Sequence, residues 1–184
     1  MRSIEDFVYK KYDINHVNIQ PEYGKDDVKD VIVQDYIMLY INLKSYQELN
    51  KKELYDLLQL RSEVFVVEQD CVYQDIEGKD QKARHVLGYK KDQLVAYTRI
   101  FKAGDYFEKA SIGRVVVAKN QRHFKYGHDI MRASIEAIRT HFKQGVIKIS
   151  AQCYLKSFYN NLGFKEIGEE YLEDDIPHIA MMLK

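Results

Sequence analysis

The sequence predicts a mixed α/β fold, a central mixed β-sheet of about six or seven strands flanked by helices. Short runs rich in β-branched and aromatic residues recur from residue 36 onward. They alternate with longer segments whose apolar residues recur at three- and four-residue steps, the period of a helix with one buried face. The resulting order, βαββ(β)βαβαββ, contains no internal repeat and suits one sheet covered by helices.

The elements follow in order. Residues 1–35 hold five Lys/Arg against eight Asp/Glu, with Pro21 and Gly24 in their middle and no sustained apolar period. They are expected to form an extension ahead of a single domain of residues 36–184. Residues 36–41 make a buried strand. Leu54, Leu57, Leu58, Arg61, Val64, Phe65 and Glu68 mark one inward stripe of the helix that follows. A polar, acidic loop over residues 70–81 leads to two strands, 84–89 and 93–101, joined as a hairpin through Lys90-Lys91-Asp92. A strand over residues 111–118 runs through a polar turn into a helix marked by Ile130, Met131, Ile135, Ile138 and Phe142. Residues 146–151 form another strand and 155–162 a short helix. From Phe164 two strands follow, split by the acidic turn Glu173-Asp174-Asp175.

Composition excludes several classes of function. A chain of 184 residues, 46% hydrophobic, is long enough for one sizeable core and short for two. Lys and Arg total 28 and Asp and Glu total 28, so no net field draws the protein to nucleic acid or to an anionic membrane. No apolar run approaches the ~20 residues of a membrane span, and the opening residues lack the apolar stretch of a signal peptide. Cys71 and Cys153 stand far apart, without metal-ligand spacing. These features predict a cytoplasmic protein with free thiols and no metal; a homodimer is left open.

The segment Val115-Val116-Val117-Ala118-Lys119-Asn120-Gln121-Arg122-His123-Phe124-Lys125-Tyr126-Gly127-His128 ends a strand in a basic turn and opens a helix. A helix start offers unpaired N–H groups and partial positive charge, a setting for a pyrophosphate. This segment resembles the Gln/Arg-x-x-Gly-x-Gly/Ala motif of the GCN5-related N-acetyltransferases (GNATs). Arg122 and Gly127 match it, while Lys125 stands at the usual first glycine. Farther on, Tyr159 lies four residues before the pair Gly163-Phe164, which resembles the second signature of that family. The stretches 54–80, 112–117 and 171–179 resemble the ElaA-like subgroup, so the likeness covers about residues 36–184.

The resemblance implies an acetyl-CoA-dependent N-acetyltransferase whose sheet splays between its fourth and fifth strands. The pantetheine arm is then expected along Val115, Val116 and Val117. Its pyrophosphate is expected on the turn Arg122, His123, Phe124, Lys125, Tyr126, Gly127, His128. Tyr159 would protonate the leaving thiolate, and an amine of a small molecule or peptide would be the acceptor. Glu68 and His178 are the candidate bases, with Arg61, Phe65, His85 and Gln152 on the substrate side. Two alternatives stay open at this point. Arg61 and Glu68 could instead form a structural ion pair, involving Arg99 or Arg114, because buried charges need partners. His85 competes with His178 as base, since the histidine side chain ordinarily titrates near neutral pH. The rival functions are a non-catalytic acyl-CoA-binding module and an enzyme with a different acyl donor, similar to acyl-homoserine lactone synthases.

Overall fold

The structure, a computed structural model, describes residues 39–184. The expected extension, residues 1–35, and the start of the expected first strand lie outside the described residues. Strand β1 spans Tyr40–Ser45, so it continues past the apolar run into Asn42 and Lys44. Those polar residues fit because β1 is an edge strand of the sheet among the described residues.

Helix α1, Lys51–Arg61, starts at a capping box in which Glu53 N–H donates to Asn50 Oδ1 and Asn50 N–H to Glu53 Oε2, each at 2.9 Å. The chain then winds as a π-helical turn over Ser62–Glu68, with Gln69 N–H reaching Val64 O and Cys71 N–H reaching Val66 O. Strands β2, Arg84–Lys90, β3, Gln93–Phe101, and β4, Ala110–Val117, follow. Helix α2, Tyr126–Ala137, leads to β5, Ile147–Gln152. The short α3, Lys156–Asn160, precedes β6, Lys165–Glu173, and β7, Ile176–Leu183.

The seven strands form one sheet in the order β1-β2-β3-β4-β5-β7-β6. Only β4 and β5 are parallel, and they pair solely as Ala110↔Ile147 and Ser111↔Lys148. Beyond those pairs the strands part, which leaves the β5-facing edge of residues 112–117 without a ladder. The splay expected between the fourth and fifth strands is present.

Alternation along the strands divides the core. Val86, Ala96, Ile149 and Ala151 face α2 in one apolar cluster, with Ile130, Met131 and Tyr159. Leu87, Tyr97 and Val116 face α1 in the other, with Leu57, Leu60 and Val64. The gap between β4 and β5 therefore has an α2 side and an α1 side.

Candidate active site

A cleft holding about 940 Å³ of empty space, part of it open to solvent, lies at the splay. Phe65 of the π turn, Gln69 just after it, Arg114 and Val115 of β4, Ser150 and Gln152 of β5, and Ile176 and His178 of β7 line it, with Tyr159 behind. The register accounts for this grouping: Gln152 is opposite His178, His178 opposite Tyr171, and Ile176 opposite Glu173. Directly opposite residues share a face, so this row points to the α1 side of the sheet.

Strand β4 carries a bulge at the cleft. Val116 pairs with Tyr97 and Gly113 with Arg99, so two residues of β4 oppose Thr98 alone. Arg114, in that bulge, takes φ +52°, a left-handed conformation rare outside glycine. The kink sends its guanidinium to the Asp75 and Glu77 carboxylates at 2.7 and 3.1 Å.

Tyr159 is almost wholly buried on α3, and burial raises its phenol above the ordinary range. It stays a protonated donor at neutral pH. No group among the described residues hydrogen-bonds its hydroxyl. The His178 ring packs on Tyr171 at 6.2 Å, and its Nδ1–H donates to Ile176 O at 2.8 Å. In the neutral ring that bond fixes the tautomer and puts the lone pair on Nε2. Gln152 Nε2 donates to Gln69 Oε1 at 3.2 Å, tying β5 to the π turn.

The turn expected to hold phosphate is a 3₁₀ turn over Lys119–Phe124, followed by Lys125 at φ +61° as the residue capping α2. The position usually held by glycine is thus one where glycine's freedom is needed, and lysine adopts it here. Gly127 is helical; a Cβ there would lie 3.4 Å from the Phe158 ring, so this glycine provides close helix contact. Tyr126 is fully buried and Phe124 receives Lys90 Nζ on its face at 3.7 Å. Their side chains pack, and Arg122 Nε–H donates to Val117 O at 3.2 Å at the end of β4. His128 meets the Phe158 ring edge-on.

Three expectations on the acceptor side differ from the geometry. Arg61 and Glu68 do not share an inward face, because the π turn is closed by i→i+5 bonds and rotates Glu68 away. Arg61 is 0% exposed and donates to Asp75 Oδ2 and Asp80 Oδ1 at 2.8 Å each. It anchors the acidic loop beneath the cleft. Glu68 lies near the surface, where both carboxylate oxygens accept from Arg122 Nη1 and Nη2 at 2.7 and 2.8 Å. Its carboxyl is held below its usual range by those bonds. The pair joins the end of the π turn to the basic turn after β4.

His85 is also fully buried, away from the cleft. Its Nε2–H donates to Asp80 O at 3.1 Å and Nδ1 accepts from the Tyr97 hydroxyl at 2.8 Å. Burial holds it below the ordinary histidine value, hence neutral. Sequence reasoning passed over Ser150, Tyr171 and Glu173. Ser150 Oγ–H donates to Glu173 Oε2 at 2.7 Å, so the Tyr171 hydroxyl, 2.6 Å away, donates to Ser150. The alternation of β5, apolar at Ile147, Ile149 and Ala151 and polar at Lys148, Ser150 and Gln152, was the available signal for Ser150.

Among the described residues no helix is long and apolar enough to cross a membrane. No group of three His, Cys, Asp or Glu among them is arranged to hold a metal.

The profile of the family described as "Acetyltransferase (GNAT) domain" matches residues 42–184. The protein ElaA of Escherichia coli (strain K12) is 46% identical over 138 residues, covering 74% of this chain and 90% of ElaA. The crystal structure of Escherichia coli ElaA superposes with a TM-score of 0.74 at 43% identity, over 80% of this chain and 100% of that one. An acyl-CoA N-acyltransferase from Pseudomonas aeruginosa gives 0.75 at 39% identity, over 79% and 99% of the two chains.

Proposed function

The chain belongs to the GNAT acetyltransferase family, beside ElaA, and from that premise we propose that it moves an acetyl group from acetyl-CoA to a primary amine. The observation that carries the proposal is the convergence of Tyr159 and His178 on one cleft at the β4–β5 splay. One supplies a protonated hydroxyl, the other a lone pair.

The pantetheine arm lies along the free edge of Val115, Val116 and Val117. The pyrophosphate meets Arg122, Lys125 and the start of α2, where basic side chains and backbone N–H groups favour anions. His178 Nε2 takes one proton from the acceptor ammonium. The amine nitrogen then attacks the thioester carbonyl carbon, forming the C–N bond, while a β4 backbone N–H near the Arg114 bulge stabilises the oxyanion. The C–S bond breaks and the thiolate takes the Tyr159 proton. The second nitrogen proton restores the phenol, so the products are the amide, coenzyme A and the proton on His178. Glu68 has no place as base in this scheme, since Arg122 occupies its carboxylate; it positions Arg122. Cytoplasmic residence remains part of the proposal, in keeping with the unpaired Cys71 and Cys153.

Measuring coenzyme A released from acetyl-CoA across a panel of amines tests this. Acceptor-dependent release is expected. A preference for long acyl thioesters would reassign the donor, and tight acyl-CoA binding without turnover on any amine would make the domain a binding module.

A further inference from the structure

We infer that the cleft takes an alkylammonium acceptor with no carboxylate beside its amine, and that Glu173 captures it. This rests on the amine-transfer reading above and adds the class of acceptor. Three observations lead to it. First, Glu173 is built into the cleft wall. It ends β6 opposite Ile176, on the same face as His178, and diagonal neighbours of that kind stand about 7–8 Å apart. A cation held at one is therefore within reach of the other.

Second, Glu173 is held ready with one oxygen to spare. Tyr171 donates to Ser150, which donates to Glu173 Oε2. Ser150 reaches that far because the residue opposite it on β7 is the small Ala180. Oε1 has no partner among the described residues, and no lysine or arginine there lies within ion-pairing distance of the carboxylate. An ionised carboxylate accepts on both oxygens, so an ammonium completes its set.

Third, the positive charge in the wall is already matched. Arg99 donates to Asp80 at 2.9 Å and to Glu77, and Arg114 donates to Asp75 and Glu77. With Arg61 these are three guanidiniums against the three carboxylates of Asp75, Glu77 and Asp80. The carboxylates of the wall outside that balance are Glu173 and Asp174. An α-amino acid would bring its carboxylate against them, while Arg61, Arg99 and Arg114 each already hold two carboxylates. An alkyl amine brings only the charge they receive, and repulsion of the wrong partner contributes as much to selection as attraction of the right one.

The test compares three acceptors in steady-state acetyl transfer: 1,5-diaminopentane, Nε-acetyllysine and Nε-acetyllysine methyl ester. The last two share an α-amine and differ in the free carboxylate. The diamine and the ester are expected to show kcat/KM at least tenfold above the free acid. Glu173→Gln should raise KM for the diamine at least tenfold and erase the gap between ester and acid, with coenzyme A affinity by calorimetry unchanged. Ser150→Ala, which loosens Glu173 without removing its charge, should raise the same KM by a smaller factor. It stands in if the glutamine variant fails to fold. Equal use of acid and ester, or an unaltered KM in a folded Glu173→Gln or Ser150→Ala enzyme that still transfers acetyl, overturns the inference and spares the amine-transfer reading. Coenzyme A binding with no transfer to any of the three overturns both.

Discussion

Tyr159 is buried beside the cleft with its phenol held protonated, whereas both carboxylate oxygens of Glu68 accept from Arg122. Tyr159 was placed by its distance from Gly163-Phe164, a local spacing that a short helix preserves. Glu68 was placed by counting seven residues from Arg61, which holds only while the helix keeps its ordinary period. The long-range partner that claims it, Arg122, is 54 residues away, and no sequence period reports such a bond. Tyr159→Phe keeps the ring among Phe158, Phe164 and the α2-side core while deleting the acidic hydroxyl. The expected outcome is a fall in kcat of roughly 10²-fold, within the range for a positioned acid, with coenzyme A affinity unchanged. Single-turnover kinetics beside calorimetry checks it; wild-type turnover would remove Tyr159 from the proposed role.

At the scale of elements, the strands and the two long helices were readable because each has one apolar face and a regular period. What escaped was irregularity. The π turn after α1, the β4 bulge and the inward fold of the acidic loop depend on tertiary contacts rather than local pattern. The final hairpin is intermediate: Asp174 and Asp175 both take positive φ, the geometry of a type I′ turn, in a pair of residues that tolerates it. Lys125 tests the same physics at the basic turn. Its left-handed conformation costs about 1–2 kcal/mol, which glycine would remove, against about 0.5–1 kcal/mol of added chain entropy. Lys125→Gly should therefore leave Tm unchanged or slightly raised. It should also weaken coenzyme A binding, because one charge proposed to face the pyrophosphate is lost. Scanning calorimetry and titration calorimetry on the same variant check the pair; a drop of several degrees in Tm would mean the lysine side chain holds the turn together.

For the whole molecule the decisive feature is the charged layer under the cleft, where residues from α1, β3 and β4 converge on the loop between the π turn and β2. Arg61, Arg99 and Arg114 grip Asp75, Glu77 and Asp80, so the loop beneath the cleft is fixed by ion pairs that the α1-side core alone does not supply. The alternative of a structural role for Arg61, left open by the sequence, is the one the fold adopts, with Asp75 and Asp80 in place of Glu68. Removing one partner from a buried set leaves charge uncompensated, so Arg61→Met should cost about 3–5 kcal/mol and lower Tm on the order of 10 °C. The same layer fixes the response to acid. Burial alone would raise the Glu77 carboxyl, but hydrogen bonds from Lys79 and Arg99 override it and hold it at about 2, against 4.5 for a free glutamate. Asp80 is likewise lowered, its burial outweighed by Arg61 and Arg99. A depressed folded value means that the unfolded chain takes up the proton first, so this stability is complete above about pH 4.5 and is lost as pH falls toward 2. Urea midpoints should fall steadily through that window in the native protein. The fall should be shallower in Arg61→Met, where Asp80 has lost one of the cations that depress it. Equal slopes in the two proteins would show that the acid sensitivity arises elsewhere than in this layer.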